Sequence, residues 1–161
     1  MAAAKAAFDG WSQTPKAERV ALLKNFLQIY QNRIEEMGQA ISQEMGAPID
    51  LALSAQAGSG YGHTKGLIRE LENFEFERAL NERAPNDRIM YEAIGVCALI
   101  TPWNWPMNQV SLKAIAAMAA GCTMVLKPSE IAPLSSLVFA DMIHEAGFPA
   151  GVFNLVNGDG I

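Results

Sequence analysis

Residues 91–130 read YEAIGVCALITPWNWPMNQVSLKAIAAMAAGCTMVLKPSE, and this stretch decides the fold. It opens with an apolar run, 94–100, which ends in a turn rich in proline and tryptophan, 101–106. An amphipathic segment and a second apolar run, 122–126, follow and lead to Lys127. A strand, a helix and a strand in this order place two parallel strands in one sheet. The sequence therefore predicts an α/β fold with an open parallel sheet.

Two polar side chains follow the strands of this unit, at the points where the strands end. Asn104 lies in the turn after the first strand, and Lys127 ends the second. Ligands of open parallel sheets bind outside the carboxyl ends of the strands. Asn104 and Lys127 are therefore the first candidates for a functional site.

Composition and charge describe an ordinary globular chain. The 161 residues are 50% hydrophobic and 18% charged, enough for one domain with a core. The net charge is -5 and the basic residues are scattered, so nucleic acid is not an expected partner. No apolar run reaches the roughly 18 residues of a membrane span, and no signal peptide opens the chain. Cys97 and Cys122 fall in predicted buried strands, which favours a reducing, cytoplasmic setting and inert thiols.

The residues before this stretch are predicted to be mainly helical. Thr14 is the predicted N-cap of the second helix, with Pro15 at the first helical position. The sequence GAP at 46–48 marks a boundary between helices. Helices are predicted over 2–12, over 17–37 with a break near Gly38 before 41–45, and over 49–78.

Four glycines weaken the last of these helices, because each costs a helix roughly 1 kcal/mol relative to alanine. We still predict a helix, since the close approach of another backbone would explain why these positions lack side chains. No strand precedes the sequence GSGYG, which argues against a phosphate-binding loop. The four are Gly58, Gly60, Gly62 and Gly66.

The remainder of the chain is predicted to alternate strand and helix. A polar connection over 81–88 leads to an exposed strand over 88–92. Gly147 ends the last helix and Pro149 prevents its continuation. Strands are predicted over 94–101, 122–127 and 151–156, and helices over 106–120 and 133–145.

The motif LITPWNWP at 99–106, followed by the Lys of LKPSE 23 residues after its Asn, resembles the NAD(P)-dependent aldehyde dehydrogenase superfamily. AFDGWSQTPKAERVALL at 7–23 and EAGFPAGVFNLVNGDG at 145–160 are similar to the same family in the same order. The resemblance covers nearly all of the chain. It implies a helical N-terminal part of the cofactor-binding domain over 1–87 and the first half of a Rossmann-like NAD-binding domain over 88–161.

Family members continue to a nucleophilic Cys in a glycine-rich setting and to a catalytic Glu, and neither motif occurs here. We therefore expect an incomplete aldehyde dehydrogenase fold and a chain that does not turn over alone. The resemblance implies oxidation of an aldehyde to a carboxylic acid through a thiohemiacetal on the missing Cys. It also implies a homo-oligomer, a dimer or tetramer, to which the 88–92 strand contributes.

The resemblance assigns Asn104 to catalysis as the amide that donates to the oxyanion of the thiohemiacetal. Such a donor is worth on the order of 3 kcal/mol, and a neutral amide does not compete as a base. Family members also carry a Lys near this amide, at the position of Lys113. The alternative for Lys113 is the polar face of an alanine-rich helix.

The resemblance assigns the cofactor to the two strand ends. Lys127 and Glu130 hold the adenosine ribose, and Glu130 favours NAD over NADP because a carboxylate repels a 2′-phosphate. A solvated ion pair is the alternative for these two residues, and packing is the alternative for Trp103. The expected cofactor-binding residues are Ile100, Thr101, Pro102, Trp103, Lys127, Ser129, Glu130, Gly158 and Gly160.

Two other functions stay open at this point. A truncated chain without catalysis would serve as a dinucleotide-binding or interaction module, using an unpaired sheet edge. A different dehydrogenase on the same framework, acylating or acting on a phosphate substrate, is the third. His63 and His144 have no second ligand at metal spacing, so no metal site is expected.

Overall fold

The computed structural model describes residues 1–159 and contains a helical N-terminal part followed by a parallel sheet, which confirms the predicted fold class. The helices are α1 (Ala2–Ser12), α2 (Lys16–Asn32), α3 (Ile34–Met45), α4 (Ile49–Leu51), α5 (Gly58–Asn73), α6 (Pro106–Ala119) and α7 (Leu134–Glu145), and a π-helical segment, Ala52–Ala57, joins α4 to α5. The strands are β1 (Glu77–Asn81), β2 (Ala84–Met90), β3 (Val96–Thr101), β4 (Thr123–Pro128) and β5 (Phe153–Leu155).

Strands β3, β4 and β5 form a parallel sheet in that order. Strand β3 pairs with β4 over its whole length, from Val96 opposite Thr123 to Thr101 opposite Pro128. Two separate crossovers, each containing one helix, connect the three strands, as parallel pairing requires. All three strands therefore end at the same edge of the sheet.

One face of this sheet belongs to the core and the other is largely open. Met124 and Leu126 of β4 are fully buried on the first face, and the Phe153 ring of β5 lies 5.7 Å from the Phe139 ring of α7. Side chains alternate between the faces of a strand, so Ala98 and Ile100 of β3 point the other way. Both are exposed, which leaves the second face open near its carboxyl edge.

The helical part packs around two aromatic residues of α2. Phe26 lies edge-to-face with Phe139 at 5.0 Å between ring centroids, which joins α2 to α7. Tyr30 is fully buried and its hydroxyl donates to the carbonyl of Ala57 at 2.9 Å, in the π-helical segment. Burial raises the pKa of Tyr30, so its hydroxyl remains a donor.

Helix α1 lies across the amino ends of β4 and β5. The hydroxyl of Thr123 donates to the carbonyl of Ala4 at 2.8 Å. Gly151 has φ +90, and a Cβ atom at this position would lie 2.6 Å from the carbonyl oxygen of Ala3. The first helix of the chain is thus fitted to a loop near the other end of the sequence.

Ion pairs of Arg33 and a hydrogen bond of Glu44 join the N-terminal helices to α7. The guanidinium of Arg33 pairs with Glu36 of α3 and with Asp141 and Glu145 of α7, at N···O distances of 2.7 to 2.9 Å. These hydrogen bonds raise the pKa of Arg33, and the bond to Glu36 has the largest effect. Farther along α3, the carboxylate of Glu44 accepts a 3.1 Å bond from the backbone N–H of Ser135, in the first turn of α7.

The break between α2 and α3 lies at Arg33, so the predicted break near Gly38 is wrong. Arg33 leaves helical geometry with φ -110 and ψ 17. Gly38 is buried within α3, where a Cβ atom would lie 3.1 Å from the Cα atom of Leu53. The predicted cap at Thr14 is also wrong, because Pro15 is the N-cap of α2 and the Thr14 hydroxyl donates to the carbonyl of Gly10.

The helix predicted over 49–78 is present, but it ends at Asn73 and includes the π-helical segment. Close packing explains only one of its four glycines. At Gly60 a Cβ atom would lie 2.9 Å from Cζ of Tyr30, whereas Gly58, Gly62 and Gly66 have no such neighbour within 4 Å. The neighbour of Gly60 is a side chain and not the backbone that we expected.

The connection predicted over 81–88 is wrong, since β1 and β2 form an antiparallel hairpin. The side-chain oxygen of Asn81 accepts from the backbone N–H groups of Arg83 and Ala84, which closes the turn. The exposed strand predicted over 88–92 therefore begins earlier, at Ala84, and ends at Met90.

The predicted strands and helices after residue 93 are present, with ends shifted by one or two residues. Strand β3 is less buried than predicted, because it is an edge strand of the described sheet. Ile94 is 90% exposed and precedes the strand, and Cys97 is half-buried. Across residues 1–159, no helix combines the length and apolar character that crossing a membrane requires.

Candidate active site

The candidate site lies at the carboxyl edge of the parallel sheet. Ile100 pairs with Lys127, and the N–H of Val156 donates to the carbonyl of Leu126 at 2.9 Å. These contacts place Ile100, Lys127 and Val156 side by side on the open face. Ile100 is 74% exposed and Val156 is also exposed. The edge therefore offers a cation between two apolar side chains.

The turn after β4 holds Lys127 and Glu130 together. Nζ of Lys127 lies 3.2 Å from Oε2 of Glu130. The pKa of the Glu130 carboxyl lies below its ordinary value. The main cause is a hydrogen bond from its own backbone N–H, and the second is the neighbouring Lys127. The hydroxyl oxygen of Ser129 accepts from the N–H of Ile131 and fixes the turn. The pair combines a donor and an acceptor at one place.

The turn after β3 is rigid at both ends. Thr101 is buried at the end of the strand, and Pro106 is the first residue of α6. Trp105 is the N-cap residue of α6, and its indole N–H donates to the hydroxyl of Ser59 at 3.2 Å. This bond anchors the turn to α5.

The residues between these anchors face outward. Pro102, Trp103 and Asn104 are exposed, Trp103 to 45%. Within residues 1–159 the side-chain amide of Asn104 makes no hydrogen bond, so its N–H donors are open to a ligand. A rigid turn that presents an open amide suits a donor role.

Lys113 lies on α6, seven residues after Pro106, which corresponds to roughly 10 Å along a helix axis. Its Nζ donates to Oε1 of Gln109 at 2.9 Å and to the carbonyl of Gln109 at 3.3 Å. Lys113 thus lies on the helix that begins beside Asn104, and its ammonium group is hydrogen-bonded to Gln109 of the same helix.

Gly158 follows β5 at the same edge as Lys127 and is exposed. No atom lies within 4 Å of a Cβ atom built on it. Gly160, the second expected glycine, lies outside the described residues. The expected cofactor-binding residues up to 158 thus occupy the ends of three adjacent strands.

Sequence reasoning assigned nothing to His63, which contacts α6. Nε2 of His63 lies 2.7 Å from Oδ1 of Asn108. The two residues lie one helical turn beyond Ser59 and Trp105 on their helices, so the two contacts form a polar seam between α5 and α6. The signal available in the sequence was the spacing of four residues between Ser59 and His63 and of three between Trp105 and Asn108.

The two thiols and the acidic residues offer no second site. Burial, together with the neighbouring Cys122, raises the pKa of Cys97 and disfavours its thiolate. Among residues 1–159, no group of three or more His, Cys, Asp or Glu side chains is arranged to hold a metal ion.

The sequence model of the aldehyde dehydrogenase family matches residues 1–161, the whole chain. The chain belongs to this family. Its recognition from the PWN turn and the KPSE motif is therefore confirmed.

Individual aldehyde dehydrogenases are similar over almost all of this chain. It is 50% identical to a 3-succinoylsemialdehyde-pyridine dehydrogenase of Pseudomonas sp. over 98% of the chain and 32% of that protein. The crystal structure of an aldehyde dehydrogenase from Bartonella henselae has a TM-score of 0.97 at 54% identity, covering 99% of this chain and 33% of the other.

A third relative was solved with ligands. A mutant of aldehyde dehydrogenase C from Pseudomonas syringae, in complex with NAD+ and octanal, has a TM-score of 0.94 at 48% identity, covering 99% of this chain and 32% of the other. The chain thus spans about a third of the length of these relatives.

Proposed function

We propose that this chain forms part of an NAD-dependent aldehyde dehydrogenase that oxidises an aldehyde to a carboxylic acid. The observation that carries the proposal is the pairing of an open amide, Asn104, with the Lys127 and Glu130 pair at the ends of adjacent strands. The nucleophilic Cys that forms the thiohemiacetal lies outside these 161 residues. The full-length protein is a cytoplasmic dimer or tetramer in this proposal.

Asn104 stabilises the oxyanion of the thiohemiacetal. Its amide is exposed and lies in a turn fixed by Thr101 and Pro106, so little reorganisation is needed when charge develops on the substrate. Lys113 adds a positive charge farther along α6.

The residues at the strand ends fit an adenosine dinucleotide. Lys127 donates to one ribose hydroxyl and Glu130 accepts from its neighbour, while the exposed side chains of Ile100 and Val156 cover the flat apolar base. The remaining contacts come from Thr101, Pro102, Trp103, Ser129, Gly158 and Gly160. When bound, NAD supplies a nicotinamide that accepts hydride. The division of the chain at residue 88 stays a prediction.

Calorimetric titration of the chain with NAD tests the cofactor site. We expect measurable heat at millimolar NAD, its loss in Lys127→Met, and no change in Lys5→Met, which removes an exposed Lys of α1. Glu130→Gln should raise the affinity for NADP relative to NAD, because it removes the carboxylate that repels a 2′-phosphate. Equal heats for the two Lys variants would refute the site.

A chimaera tests the catalytic role. The chain replaces the matching third of the Bartonella henselae enzyme, and formation of NADH from an aldehyde is followed. Asn104→Ala should lower kcat by roughly 10²–10³, the cost of losing one oxyanion donor. Asn86→Ala, on the exposed hairpin, is the control. An Asn104→Ala chimaera with unchanged kcat contradicts the assignment, and NADH production by the chain alone contradicts its dependence on an outside Cys.

A binding module without catalysis is the second candidate, and the open face of the sheet around Ile100 favours it. Both candidates require NAD binding by this chain. The chimaera distinguishes the two candidates, because it turns over aldehyde only if the site residues have retained their catalytic geometry.

A further inference from the structure

A buried cation lies at the other end of the sheet, away from the candidate active site. Arg19, in α2, is 6% exposed, and its Nε is buried with no hydrogen-bond partner. In residues 1–159 no carboxylate forms an ion pair with it. A guanidinium remains charged at any physiological pH, so its burial without an anion is unfavourable.

The guanidinium is held in position from two sides. Its central carbon lies 4.9 Å from the ring centroid of Phe76, a cation–π contact. Gly121 has φ +83, and a Cβ atom there would lie 2.6 Å from Nη1 of Arg19. Burial lowers the pKa of Arg19, with the Cys122 thiol acting in the opposite direction. Neither the ring nor the glycine satisfies the N–H groups.

Arg19 lines a cleft of about 510 Å³. Nζ of Lys16 donates to the backbone carbonyls of Glu72 and Phe74, so its charge is not balanced by a carboxylate there. Glu92 is an exposed acidic residue of the lining, and it does not pair with Arg19. Aromatic and hydroxyl side chains complete the walls: Phe8, Ser12, Thr14, Phe76 and Tyr91.

We propose that this cleft binds a carboxylate, with the fork of Arg19 holding its two oxygens and Lys16 adding charge at the rim. Arginine forms paired, nearly parallel hydrogen bonds with carboxylates. The aromatic walls fit the apolar part of a carboxylic acid. Glu92 opposes a second negative charge, which favours a carboxylate over a phosphate dianion. This site is separate from the cofactor site and does not rest on the proposed function.

Nuclear magnetic resonance of the unmutated 161-residue chain tests the proposal. The Arg19 side-chain N–H signal and the backbone N–H signal of Ala93, a residue of the same cleft, are followed during titration with butyrate at constant ionic strength, with chloride as the reference anion. The Ala93 signal reports binding in the variants. We expect a saturable displacement, weakened at least about fivefold by Arg19→Lys, which keeps the charge but loses the fork. Arg83→Lys, on the hairpin turn, should leave the affinity unchanged.

Two further arms define the source of the carboxylate and the role of Glu92. Tighter binding of a blocked Gly-Glu-Gly tripeptide than of butyrate supports a protein carboxylate, and the reverse supports a free acid. Glu92→Gln should strengthen binding of either. Absence of a saturable displacement in the unmutated chain overturns the proposal, and so does binding that occurs only in Glu92→Gln, because Glu92 itself would then occupy the guanidinium. The NAD titration is independent of all these outcomes.

Discussion

Gly60→Ala is predicted to destabilise the fold, although alanine is the better helix former. The new Cβ atom would lie 2.9 Å from Cζ of Tyr30, closer still to its hydroxyl oxygen, and 3.3 Å from Cβ of Met107. Tyr30 is fully buried and cannot swing away. Overpacking costs about 1–3 kcal/mol, and disruption of the bond to Ala57 adds about 1–3 kcal/mol. The higher helix propensity of alanine offsets about 1 kcal/mol of this cost.

The net expectation is a loss of roughly 1 to 5 kcal/mol in the free energy of unfolding. Gly62→Ala is the matched control on the same helix, because no atom lies within 4 Å of its Cβ position. It should gain about 0.5–1 kcal/mol from helix propensity alone. The two substitutions are chemically identical, but their expected effects on the free energy of unfolding have opposite signs.

Urea unfolding measures both variants by linear extrapolation. With a slope of about 1–3 kcal/mol per molar urea, the two midpoints should differ by on the order of 1 M. Combining Gly60→Ala with Tyr30→Phe should cost less than the two single changes together, because the most crowded atom is gone. A Gly60→Ala variant as stable as Gly62→Ala would refute the steric argument.

The remaining predictions concern the contacts of Glu44 and Arg33 with α7. Burial raises the pKa of Glu44 above its ordinary 4.5, so the folded state binds this proton more tightly than the unfolded state. The contribution of Glu44 to stability therefore falls as pH rises from 4.5 to the raised pKa. In Glu44→Gln this contribution should be absent when urea midpoints are measured across that pH range. An unchanged pH dependence of the midpoint would contradict the prediction. Arg33→Met should cost about 1 kcal/mol at low salt and less at high salt, since its three partners are largely exposed. Glu35→Gln is the control, and an Arg33→Met cost independent of salt would contradict the ionic explanation.

Prediction from the sequence succeeded where glycine and proline mark the ends of elements. Gly147 has positive φ and follows α7, as its position indicated. The apolar runs placed Asn104 and Lys127 at the ends of strands, and Lys127 pairs with Ile100 near the end of β3. These features depend on local sequence.

The errors arose where distant contacts decide the local structure. Gly38 reads as a helix stop, but its missing side chain makes room for Leu53. Arg33 has no sequence signal of a break, and its three ionic partners come partly from a helix more than a hundred residues later. The hairpin of β1 and β2 has few apolar positions and a proline, so no alternating pattern marked it. Arg19 was missed because burial of one arginine cannot be read from its neighbours in sequence.

The seat of α1 on the amino ends of β4 and β5 has a consequence for synthesis of the chain. Ala3 is packed against Gly151, so α1 contacts a loop that is synthesised 148 residues after it. At roughly 5–20 residues per second, a ribosome needs about 7 to 30 s to supply that loop. During this interval α1 lacks the part of its binding surface that this loop provides, and its apolar residues are more available to chaperones. Changes to Gly151 should therefore affect the yield of folded chain in cells more than its stability in solution would suggest.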